Sequence, residues 1–209
     1  MIQNIEKIND ESDGLMPKET FERRFYFIDQ DMLRKNIAIA FEYIFFLLET
    51  AKREDHKPLI RSSLYKDAAV YTGTVIEACL LHALKKYLVT NSANKAKVLG
   101  RVWTVTDKGK DQGTIYEFSK KRRIRYVLEH FIVENIGETP RFNVICRSCL
   151  RAKIISKKEY KFAEDIMKAR NKIHVSGVQE IDNAYTREAL DDIFDKATRI
   201  IRKIEKKLL

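Results

Sequence analysis

In the stretch Met167-Lys168-Ala169-Arg170-Asn171-Lys172-Ile173-His174, an arginine and a histidine stand four positions apart. An imidazole exchanges a proton near neutral pH, and a guanidinium offers a planar fork of N–H donors to a phosphate. Brought to one point on an RNA backbone, His174 can take the proton of a 2′-hydroxyl. Arg170 can then stabilise the charge that builds on the phosphate, a scheme that calls for no metal. On a helical projection the two lie about 40° apart, roughly a quarter turn from an apolar stripe of Phe162, Ile166, Ala169 and Ile173. Asn171 lies about 100° from Arg170 and takes a supporting role. The competing reading is structural: an Arg and a His at a helix C-terminus also favour the dipole and bond the free carbonyls. The spacing leaves both open.

A second signal is the basic run Lys120, Lys121, Arg122, Arg123 and Arg125, interleaved with Tyr116, Phe118 and Tyr126. Cations contact phosphates and aromatic rings stack on unpaired bases, so this run, with Lys168 and Lys172, is a candidate nucleic-acid track. A solvated charged surface is the alternative. The net charge of +10 is unevenly placed. Residues 95–172 carry 20 Lys/Arg against 9 Asp/Glu, and the remainder carries 20 against 21. Such asymmetry points to a polyanion such as RNA as partner.

Other chemistry is poorly represented. Cys146 and Cys149 have CxxC spacing without a second pair, short of the four ligands a zinc site needs. They are expected to be core residues, as are Cys79 and His82, and neither a metal nor another cofactor is expected. No phosphate-binding glycine loop, dinucleotide fingerprint, nucleophile elbow or paired-carboxylate motif is present. Three cysteines are too few for a secreted disulfide framework, and the first residues lack the apolar core of a secretory signal. The longest apolar stretch, 36–50, contains Glu42 and Glu49, so a cytoplasmic protein without a membrane span is expected.

Scarce glycine and proline favour long helices. Residues 1–25 read as a flexible leader and 26–209 as one helical domain. A helix capped by Asp29 is expected to run to about Arg53, with Leu33, Ile37, Phe41, Ile44 and Leu48 on one side. Ile39, Tyr43, Phe46 and Leu47 on the other predict burial around much of it. A second helix over about 59–89 completes an antiparallel hairpin. Residues 91–126 are rich in β-formers around a turn-rich gap and predict a β-hairpin or extended insertion. Helices resume at about 126–135 and after Pro140. Ser156 caps the next, and Thr186 a last one with an apolar stripe from Leu190 to Leu208. The fold class is all-α, an antiparallel helical bundle with that insertion.

The segment Arg170-Asn171…His174 resembles the Arg-Asn…His signature of HEPN domains, small helical bundles of bacteria and archaea. Tyr71-Thr72-Gly73-Thr74-Val75-Ile76-Glu77-Ala78-Cys79-Leu80 is similar to the family's earlier helix. Residues 144–174, with the Lys153–Ser156 turn, are similar to its late helix pair. The resemblance covers about 30–90 and 140–209. It implies a metal-independent endoribonuclease or RNA-binding effector of a toxin–antitoxin or other defence system, acting as a homodimer, with Arg170 and His174 catalytic. The gap between Arg170 and His174 is shorter than the family usually shows. The alternative is a noncatalytic HEPN-like module that binds a protein or nucleic acid.

Overall fold

The computed structural model describes residues 22–53, 56–99, 140–171 and 185–209. For 93, 95, 96, 101–105, 114–119, 122–125 and 128–132 it describes the backbone alone. Most described residues are helical. The principal helices are α1 (Asp31–Ala51), α2 (Pro58–Thr90), α3 (Lys95–Leu99), α4 (Phe142–Arg151), α5 (Lys157–Asn171) and α6 (Arg187–Leu208).

α2 is the central element, packed against α1, α4, α5 and α6. Its sequence explains that position. Pro58 sits in the first turn, where its missing N–H costs nothing. Ala68, Ala69, Val75, Ile76, Cys79, Leu80, Ala83 and Leu84 are all buried, on several sides of the helix. α1 runs antiparallel to it: Tyr43 meets Tyr71 with ring centroids 4.7 Å apart, and Asp29, before α1, reaches Lys86 at 3.0 Å.

Two expectations for α1 fail. Asp29 does not cap it; Gln30 holds the N-cap position without a side-chain bond, because the Asp29 carboxylate is drawn to Lys86 instead. Leu47 is buried as expected, but Ile39, Tyr43 and Phe46 are exposed. The periodicity predicts two buried faces, whereas among the described residues α1 packs chiefly on α2 and so buries one. Phe25, inside the stretch read as leader, is fully buried and lies 5.1 Å from the Phe41 ring.

α4 ends in a Schellman turn. Lys153 N–H bonds Leu150 O at 3.0 Å and Ile154 N–H bonds Cys149 O at 2.9 Å, with Lys153 at φ 56° in the left-handed position glycine usually takes. Ile154 and Ile155 are buried beyond it. α5 then opens with a capping box: Lys158 N–H donates to Ser156 Oγ and Ser156 N–H to Glu159 Oε2. Thr186 caps α6 by accepting from Ala189 N–H at 3.2 Å. The α6 stripe is buried from Leu190 to Ile204, as its spacing predicts.

Between α3 and α4 the backbone forms short antiparallel ladders. β1 (Arg101–Val105) pairs with β4 (Leu128–Ile132), and β2 (Thr114–Ser119) pairs with β3 (Arg122–Arg125). The helix expected over 126–135 is replaced in part by β4, Leu-Glu-His-Phe-Ile, which the backbone pairs antiparallel with β1. No described helix is long and apolar enough to cross a membrane.

Candidate functional site

The seam between α2 and α5 is built on Gly73. A Cβ at that position would stand 3.3 Å from Arg170 Cδ and 3.6 Å from both Arg170 Cβ and Ile166 Cγ2. The bare glycine therefore lets α5 lie close and gives the aliphatic stem of Arg170 a surface to cross. One turn further along α2, Glu77 accepts a hydrogen bond from Arg170 Nη1 through Oε2. Arg170 is 35% exposed and Glu77 24% exposed, so both are shielded enough for the charges to be felt and open enough to reach solvent.

The C-terminal end of α5 is fixed by a second contact. Tyr185, buried just before α6, donates its hydroxyl proton to Ala169 O at 2.5 Å. This satisfies one of the carbonyls a helix end leaves free. Lys66 from α2 stands 6.0 Å from the Tyr185 ring centroid. Arg170 is thus held on three sides, by the glycine beneath it, the carboxylate beside it and an anchored backbone behind it.

Of the residues singled out from sequence, Arg170 occupies this seam and Asn171 ends α5 with its side chain exposed. Lys168 is exposed on the same helix. Lys172 and His174 lie outside the described residues, as do Lys120 and Lys121. Arg122, Arg123 and Arg125 form β3, described by its backbone only. Glu77 was missed as a site residue, though the signal was present. It is the one Asp, Glu, Lys or Arg in the run 68–84, and it stands one turn after Gly73.

The cysteines are packing groups. Burial pushes the Cys146 thiol up to about 12, with Glu77 and Glu164 adding to the effect, and burial alone takes Cys79 to about 12. Cys149 is also raised by burial and donates its Sγ to Leu80 O at 3.4 Å. Thiols so disfavoured as thiolates are poor nucleophiles and poor metal ligands. No group of three or more His, Cys, Asp or Glu poised for a metal occurs among the described residues. His82 is buried with Nε2 3.4 Å from Asp29 Oδ1, close enough to feel the carboxylate but without a hydrogen bond. Burial lowers its pKa; Asp29 opposes that, while Lys86 and Lys85 reinforce it.

In comparisons with protein-family models, curated proteins and solved structures, nothing matches the chain.

Proposed function

We propose that the chain is a HEPN-type effector that binds RNA and cleaves it without a metal. Arg170 would act as phosphate clamp, His174 as general base and Asn171 as their support, on a helical bundle with an extended arm between α3 and α4. The observation that carries the reading is the mounting of Arg170: a partly exposed side chain, oriented by Glu77 over Gly73, four positions before His174 in the sequence. One N–H of the fork serves Glu77, leaving other donors for a phosphate. A carboxylate that fixes an arginine in one pose lowers the entropy lost when it grips its ligand. Homodimerisation, a cytoplasmic location and a role in a toxin–antitoxin or defence system belong to the same proposal.

The second reading is a noncatalytic module, and the same ion pair is what favours it, because Glu77 already satisfies part of Arg170. The two separate cleanly. Purified protein incubated with single-stranded RNA in EDTA is expected to leave 2′,3′-cyclic phosphate ends, and His174→Ala to stop cutting while leaving the melting temperature near that of the parent. Cutting that persists in His174→Ala, or no cutting by the parent, removes the nuclease assignment.

A further inference from the structure

α5 and α6 run antiparallel: Asp165 meets Lys196 at 3.2 Å, Arg199 lies 5.8 Å from the Phe162 ring, and Glu159 feels the charge of Lys203. That arrangement sets the first turns of α5 beside the C-terminal half of α6. α5 contributes exposed Lys157, Lys158 and Lys161. The solvent stripe of α6 begins with Glu188, Asp192 and Asp195 and then changes sign to Arg199, Arg202, Lys203 and Lys206. One end of the helix pair is therefore densely cationic. Three carboxylates stand among them: Glu159, tied to the N-cap by accepting from Ser156 N–H at 2.9 Å, Asp165, 3.9 Å from Lys161 Nζ, and the half-buried Glu205, so the cations remain in excess.

Helix stability does not account for this distribution. The macrodipole rewards cations only in the last turn of a helix, which covers Lys206 but not Arg199 or Arg202. Lys157 and Lys158 stand in the first turn of α5, where the dipole disfavours positive charge. Phe162 gathers one cation from each helix, Lys158 Nζ at 5.9 Å and Arg199 Cζ at 5.8 Å from its centroid. The excess of positive charge at this end favours a polyanionic partner. A lipid surface fits less well, since an interfacial helix must offer its apolar face, and Ile193, Ile200, Ile201 and Ile204 are committed to the core.

We infer that the α5 start and the α6 C-terminal half form an anchoring surface for the phosphate backbone of a nucleic acid, separate from the Arg170 seam. Along α5 the distance from Lys158 to Arg170 is about 18 Å, so a strand several nucleotides long reaches both. The inference shares its polyanionic partner with the proposed function but stands on different residues.

The test is binding of a fluorescein-labelled 20-nucleotide single-stranded RNA to the full chain, followed by anisotropy across a NaCl series. Arg202→Glu with Lys206→Glu is expected to weaken binding at least about tenfold at low salt. The slope of log affinity against log salt should become shallower by about 1.4, two single-strand phosphate contacts. A control with the same charge change at the exposed N-cap of α2 and on its exposed face, Lys57→Glu with Lys85→Glu, should stay within about threefold of the parent. Equal losses in both variants reduce the effect to net charge and overturn the inference. So does a parent that ignores RNA, or that binds only vesicles containing anionic phospholipid. Circular dichroism melting of both variants shows that each is folded. RNA that is held through Arg202 and Lys206 but never cut removes the nuclease reading and leaves this one intact.

Discussion

The two ends of α5 use positive charge in opposite ways. At its C-terminal end a single guanidinium, Arg170, is set over Gly73 and matched by Glu77. At its start Lys157, Lys158 and Lys161 are exposed, Lys158 sharing the Phe162 ring with Arg199 of α6 and Lys161 lying 3.9 Å from Asp165. The first arrangement fixes one charge in one pose, which is what recognition of a particular phosphate requires. The second concentrates charge without fixing it, which suits a backbone gripped at many points. The contrast teaches that a charge count along the chain cannot separate these roles. The segment average that located the basic excess in 95–172 also concealed the sign change within α6.

The most severe way to break the positioned end is to fill the seam. Gly73→Val is expected to drive the Arg170 stem out of place and cost about 1–3 kcal/mol in urea unfolding. Gly73→Ala should be far milder. Its 3.3 Å contact is with a flexible side chain, and the gain in helix propensity of roughly 1 kcal/mol offsets the crowding. A Gly73→Val protein as stable as the parent would show that α5 does not depend on close approach.

Arg170→Ala comes next, at about 1–2 kcal/mol, because it leaves Glu77 half-buried without its partner. In a double-mutant cycle with Glu77→Gln, the second substitution should cost less in the Arg170→Ala background than alone. Strict additivity would mean that the pair is not coupled in solution.

His82 supplies a pH test away from both ends. Its folded pKa is lowered, so the unfolded chain binds the extra proton more readily. The stability this group contributes is complete above the unfolded value of about 6.5 and declines as pH falls from there toward the lower folded value. The melting temperature should therefore drop between pH 7.5 and 5.5, and His82→Asn should flatten that stretch relative to the parent. Identical profiles would remove His82 as the source.

The smallest effect sharpens the comparison most. Lys157→Glu places an acid in the first turn of α5 and is expected to stabilise the protein by about 0.3–1 kcal/mol at low ionic strength. It should at the same time weaken RNA binding. A gain in stability with no loss of binding would show that the cations at this end have no such partner.

Local chemistry was legible wherever it acts within a few residues. Ser156 and Thr186 cap as their spacing predicts, and the α6 stripe is buried from Leu190 to Ile204 because its apolar residues recur at helical period. α2 spans Pro58–Thr90, close to the expected 59–89. Periodicity could not say how many partners a helix would find, so Ile39, Tyr43 and Phe46 were assigned to the core and stand exposed. Nor could it distinguish a short apolar run in a helix from one in β4, where the pairing partner, β1, lies more than twenty residues earlier.

The same division holds for charge and for the site. The sequence by itself determined that Arg170 would sit at the border of a buried face near the end of a helix, since helical geometry relates it to Ile166 through neighbouring positions. Only the tertiary structure decided that its partner is Glu77, 93 residues earlier, because that contact depends on α2 and α5 approaching over Gly73. The sequence likewise determined the sign change along α6. The antiparallel packing of α5 decided that Lys158 and Arg199 would meet over the Phe162 ring, and no local rule carries that information across two helices.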